Sequence, residues 1–138
     1  MTYSYISTIR WSQKEGVHGE MELDRGPSFD FHKPSEFGGR DGFMNPEDAF
    51  VGSVAMCYSI TVEEMCIKMR LNIDHFELKT EGILEEVDGK NMITKIILRP
   101  EIRSLEKPHK IKRALELAKE NCLIARSLTS EIILEPVY

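Results

Sequence analysis

The chain opens on the strand-like run YSYISTIRW, Tyr3 to Trp11, and after a polar turn around Gly16 a weaker alternation, GEMELDRG, reads as the returning strand of a hairpin. The next stretch, PSFDFHKPSEFGGRDGFMNP, concentrates Pro and Gly while keeping Phe29, Phe31 and Phe37; it leaves room for a short strand at its start and ends as a loop. A helical pattern then sets in. Asn45 supplies an N-cap, Pro46 the first helical position, and Glu47 and Asp48 place carboxylates in the first turn, where they favour the helix dipole. From Pro46 to about Arg70 only Gly52 interrupts the helix, and apolar or small residues occupy nearly every face as far as Ile60. Such a pattern predicts a helix surrounded by protein, about 35 Å long at 1.5 Å per residue.

Two alternating runs follow, IDHFELKTEGILEEV and MITKIILRPEIRS, joined by DGKN, whose Asp88-Gly89 pair is a hairpin turn signal. KPHKIKRALELAKENC is a second helix, with Ile111, Ala114, Leu115 and Ala118 at helical spacing and Cys122 at or just past its end. SEIILEPVY reads as a terminal strand. The order β-β-α-β-β-α-β is an α+β pattern, with antiparallel sheets packed around a long central helix.

Composition adds limits rather than a function. At 138 residues, with 41% apolar and 30% charged positions, one domain spanning 1–138 is expected, large enough to bury a core without disulfides or metals. No signal peptide and no segment of membrane-spanning apolar length are read, so a cytoplasmic setting without a membrane partner is expected. A net charge of −5 with interspersed signs leaves no footprint for nucleic acid. Neither the three cysteines nor His18, His32, His75 and His109 show zinc-ligand spacing, and no cofactor is called for.

The cysteines are then free for chemistry. Cys57 and Cys66, nine residues apart, fall on opposite faces of one helix and cannot pair, so Cys66 reads as a core residue. Cys57 lies among small residues, Gly52, Ser53 and Ala55, that let another backbone approach. If the two helices touch there, Cys57 meets Cys122; otherwise both are buried fillers.

FGGRDGFMNPEDAFVGSVAMCYSI together with RALELAKENCLIARSL resembles the OsmC/Ohr family (osmotically inducible protein C and organic hydroperoxide resistance proteins). The shared features are an Asn-Pro-Glu helix start, a Cys ten residues after that Glu, here Glu47 and Cys57, and a second Cys near the C-terminus. Leu123 stands where the family pattern has Pro after the second Cys. The element order agrees along essentially the whole chain.

The resemblance implies an intertwined homodimer and a thiol-dependent peroxidase that reduces organic hydroperoxides. Cys57 would be the attacking thiol, with an arginine nearby to favour the thiolate; Arg40 in GGRDG and Arg10 on the first strand are the candidates, Arg40 preferred. Cys122 would capture the sulfenic acid of Cys57 as a disulfide, later reduced by a lipoyl-type or other cellular dithiol. Glu47 would hold the arginine. Because about 15 Å of helix separates Glu47 from Cys57, it would serve the Cys57 of the other subunit. Phe43, Met44, Phe50 and Met56 suggest an apolar lining suited to organic substrates. The alternative is a redox-inert dimeric module of the same fold that binds a small apolar ligand.

Overall fold

The computed structural model describes residues 1–13 and 18–137; the turn expected around Gly16 and the terminal Tyr138 lie outside the described residues. The chain divides into two compact units, Met1–Phe50 and Val51–Tyr138.

The first unit holds an antiparallel sheet of β1 (Ser7–Trp11), β2 (Gly19–Leu23) and β3 (Ser28–Phe31), in that order. Strand β1 begins four residues later than its propensity suggests. Its partner ends at Leu23, and beyond it the chain is held by single contacts: the Asp24 amide donates to the Ile6 carbonyl at 3.0 Å, and Arg25 lies over the Tyr5 ring. Gly19 packs closely on Phe31, whose ring would have to shift to admit a Cβ that stands 2.5 Å from it. After β3 comes a 3₁₀ turn, Ser35–Phe37, and a loop that reaches α1.

Helix α1 runs Pro46–Lys68. Its start follows the expected chemistry: Asn45 Oδ1 accepts the Asp48 amide at 2.7 Å, and Asn45 Nδ2 donates back to the Asp48 carboxylate at 2.8 Å. Both groups of the cap are thereby satisfied. By length and composition alone, with a mean hydropathy of 1.3 over its most apolar stretch, α1 would pass as a membrane-crossing helix, which corrects the expectation that no segment comes near that measure.

The second unit carries most of α1 with β4 (His75–Val87), β5 (Lys90–Arg103), α2 (Pro108–Asn121), α3 (Leu123–Arg126) and β6 (Glu131–Leu134). Asp88 and Gly89 both adopt positive φ, 53° and 78°, the geometry that matches a two-residue turn to strand twist. Val54, Tyr58, Ile96, Leu98 and Leu115 form the buried centre. Its sheet has the order β4-β5-β6. Strands β5 and β6 are parallel, with Lys95 opposite Glu131, so the sheet is mixed rather than antiparallel. The reason is the connection: a helix between two strands returns the chain to the same end of the sheet, whereas a hairpin reverses it. Arg99 on β5 bonds to Glu81 on β4 at 3.0 Å and Glu135 after β6 at 3.2 Å, stitching the outer face of all three.

Within this chain α1 is not wholly surrounded. Val54, Tyr58, Val62 and Met65 are buried on one side, but Met56, Ile60 and Ile67 on the other are 65%, 56% and 67% exposed. At 100° per residue these three fall within about 40° of one another, a single apolar stripe.

Candidate thiol site

Two elements bring the site together inside the second unit. The Tyr58 hydroxyl, fully buried, donates to the Leu115 carbonyl at 3.1 Å and ties α1 to α2 one residue beyond Cys57. Tyr58 was not among the residues singled out from the sequence; a tyrosine inside an otherwise apolar helical run is the signal, because a buried phenol needs an acceptor. Thr61 adds a local bond, its hydroxyl donating to the Cys57 carbonyl at 2.8 Å.

Cys122 occupies the joint between α2 and α3, with φ −68° and ψ 111°, and so belongs to neither helix. It is completely buried, whereas Cys57 is half-buried. The Cys57 and Cys122 side chains lie within hydrogen-bonding reach of each other, and both are free thiols. Burial pushes the Cys122 thiol upward in pKa, and the bond and charge of Cys57 add to that rise. The Ala125 and Ile124 amides at the start of α3 oppose it without closing a capping hydrogen bond. Two thiols 65 positions apart therefore share one corner of α1 and α2.

Leu123 sits at the first position of α3. There the backbone N–H has no partner within the helix, so proline and leucine are equally compatible with the hydrogen bonding, and the joint forms without proline. Cys66 stands apart from this pair. It is buried on the opposite side of α1, its pKa raised by burial, and with Val62, Leu71, Ile73 and Phe76 it lines an apolar cavity of about 330 Å³.

The remaining expected residues lie in the first unit. Arg40 is exposed in a loop between Gly38 (φ 86°) and Gly42 (φ 91°), and it makes no ion pair among the described residues. Gly39 beside it packs so tightly on the Lys33 carbonyl that a Cβ would fall 1.6 Å from that oxygen. Arg10 is already engaged, by Glu22 at 3.0 Å and Glu20 at 3.8 Å. Glu47 has one carboxylate oxygen buried with no hydrogen-bond partner among the described residues, so it does not pair with Arg40 within the chain. Phe43 makes tilted ring contacts with His18 and His32, Met44 joins Ile9, Met21, Phe29 and Phe31 around an apolar hollow of about 300 Å³, and Met56 is exposed. Among the described residues no cluster of His, Cys, Asp and Glu is arranged to hold a metal.

The chain and its fold have counterparts. The family model for OsmC-like protein matches residues 39–136. The Bacillus subtilis (strain 168) protein YmaD is 26% identical over 107 residues, which cover 74% of this chain and 71% of that one. The fold is shared with the Vibrio cholerae O1 biovar eltor OsmC-like protein VCA0330, at a TM-score of 0.89 and 23% identity over 99% of this chain and 100% of that one. It is shared too with an organic hydroperoxide resistance protein OsmC from Legionella pneumophila, at 0.84 and 20% over 100% and 99%, and with OhrB of Bacillus subtilis, at 0.76 and 22% over 98% of each. With the family model matching nearly a hundred residues, well over half of the sequence, the chain belongs to the OsmC-like protein family.

Proposed function

We propose that the protein is a thiol peroxidase that reduces organic hydroperoxides, in keeping with the hydroperoxide resistance proteins that share its fold. The observation that carries this reading is the meeting of Cys57 and Cys122. The half-buried Cys57 thiolate attacks the terminal peroxide oxygen; the O–O bond breaks, the alcohol leaves with a proton, and Cys57 becomes a sulfenic acid. Cys122 then attacks that sulfur, releasing water and forming a disulfide. An external dithiol, of the lipoyl type or another cellular thiol, reduces the disulfide in two exchange steps. The roles follow from burial: the accessible sulfur meets substrate, and the enclosed one, held as a thiol by its surroundings, meets only its neighbour.

The active form is a homodimer. Its support is the exposed apolar stripe of α1, together with the stranded carboxylate of Glu47, a group that is costly to bury without a donor. Arg40, unpaired in its glycine-flanked loop, is the guanidinium assigned to that carboxylate, and the pair serves the Cys57 of the second copy. Arg10, already bonded to Glu20 and Glu22, is the weaker candidate.

The apolar hollow lined by Ile9, Met21, Phe29, Phe31 and Met44 favours a second reading, a redox-inert module that binds a small apolar ligand. One experiment separates the two. The reduced protein receives one equivalent of cumene hydroperoxide, and its disulfides are mapped by non-reducing peptide mass spectrometry. The peroxidase gives a Cys57 to Cys122 link, absent in Cys57→Ser and replaced by over-oxidised Cys57 in Cys122→Ser. Three unmodified thiols after prolonged exposure overturn it in favour of the binding module.

A further inference from the structure

The interspersed charges of the sequence conceal a separation in space. In the second unit the segment from 103 to 113 carries Arg103, Lys107, Lys110, Lys112 and Arg113 against Glu106 alone. The end of α1 and the turn that leads to β4 add Lys68 and Arg70 against Asp74. These two stretches lie at the same end of the unit: the Ser104 hydroxyl donates to the Asn72 carbonyl at 2.6 Å, and the Asp74 amide to the Arg103 carbonyl at 2.9 Å. At the tip itself Lys68, Arg70, Arg103, Lys107 and Lys110 stand against Asp74 and Glu106, a local excess of about +3 in a chain whose net charge is −5, with Glu64, Glu77 and Glu101 set a turn or two residues behind it. None of these five cations is in an ion pair or side-chain hydrogen bond among the described residues, and Glu77 behind them is directed at His75.

At the middle of this end stands Leu105, 101% exposed, on the bend between β5 and α2. An apolar side chain held out among cations is unfavourable toward water and has no role against a phosphate backbone. The segment from 103 to 113 has no Phe, Tyr or Trp on which a base would stack. Against a bilayer both features are used, the cations at the headgroups and the leucine at the acyl boundary. We infer that this end of the second unit is a docking face for anionic phospholipid membranes. Cys122 lies at the far end of α2, about 20 Å from this face, so docking leaves the thiol pair clear of the lipid.

The test is co-sedimentation of the whole protein with vesicles of phosphatidylcholine and phosphatidylglycerol, against phosphatidylcholine alone. Binding to the anionic vesicles only, weakened by added salt, is expected. The double variant Lys107→Glu/Lys110→Glu lowers the partition at least about tenfold, and Leu105→Ser lowers it several-fold while keeping the salt dependence. All three altered positions are exposed, and circular dichroism checks that the fold is kept. No partition into anionic vesicles, partition that survives the charge reversal, or retention on DNA with none on vesicles each overturns the docking face. Turnover of cumene hydroperoxide in solution is unchanged in these variants, so failure here is distinct from failure of the peroxidase reading.

Discussion

At the scale of single residues, the three cysteines differ in their surroundings more than in their chemistry. Burial raises the pKa of both Cys66 and Cys122 above the ordinary thiol value of 9.0. A buried thiol whose pKa is raised keeps its proton in the folded state at a pH where the unfolded chain has already lost it. Below 9.0 the two states carry the same protons and stability is undiminished; as pH climbs above that value toward the folded pKa, the unfolded state is favoured. The urea midpoint of the reduced protein is therefore expected to fall above about pH 9, and the fall is shallower in Cys66→Ala than in the native chain. Comparing slopes rather than absolute midpoints removes the constant cost of the small cavity that the alanine leaves. Equal slopes would mean that the Cys66 thiol titrates alike in both states.

At the scale of elements, close approach rather than propensity decides where substitutions hurt. Gly82 on β4 is the clearest case, since a Cβ there would stand 2.5 Å from Val51 Cγ2 on α1, and the strand shifts register one residue later. Gly82→Ala is expected to cost about 1–3 kcal/mol by overpacking, read from chemical denaturation; a neutral result would mean that Val51 shifts freely. Much of this level was legible beforehand. Asn45, Pro46 and Asp48 announce the start of α1 by local hydrogen-bond chemistry, and Asp88-Gly89 announces its turn by backbone sterics. What was not legible depends on distant partners. The parallel pairing of β6 follows from a crossover, and LIAR after Cys122 is too short to show a period. The thiol pair was half legible: spacing excluded Cys66, but the contact with Cys122 depends on Tyr58 reaching the Leu115 carbonyl. The hydrophobicity of α1 was read correctly and its surroundings were not, because Met56 and Ile60 have no cover within their own chain.

At the scale of the whole molecule, that uncovered stripe is the basis of the proposed dimer. Sedimentation is expected to give twice the mass of the 138-residue chain, and Ile60→Glu to shift it toward the monomer, because a carboxylate in the stripe has no partner and is costly to desolvate. A native chain that sediments as a monomer would remove the dimer and with it the shared roles of Glu47 and Arg40. The order of the chain carries one more consequence. The strands of the first sheet pair entirely between Ser7 and Phe31, so that sheet is able to close early in translation. Cys57, by contrast, is made 65 residues ahead of Cys122. At 5–20 residues per second, each nascent copy carries its first thiol for about 3–13 s before its partner has been synthesised. A peroxide met in that interval forms a sulfenic acid that Cys122 is not yet there to resolve, and Cys66, once the helix forms, faces the other way, so oxidative stress would damage this protein most while it is being made.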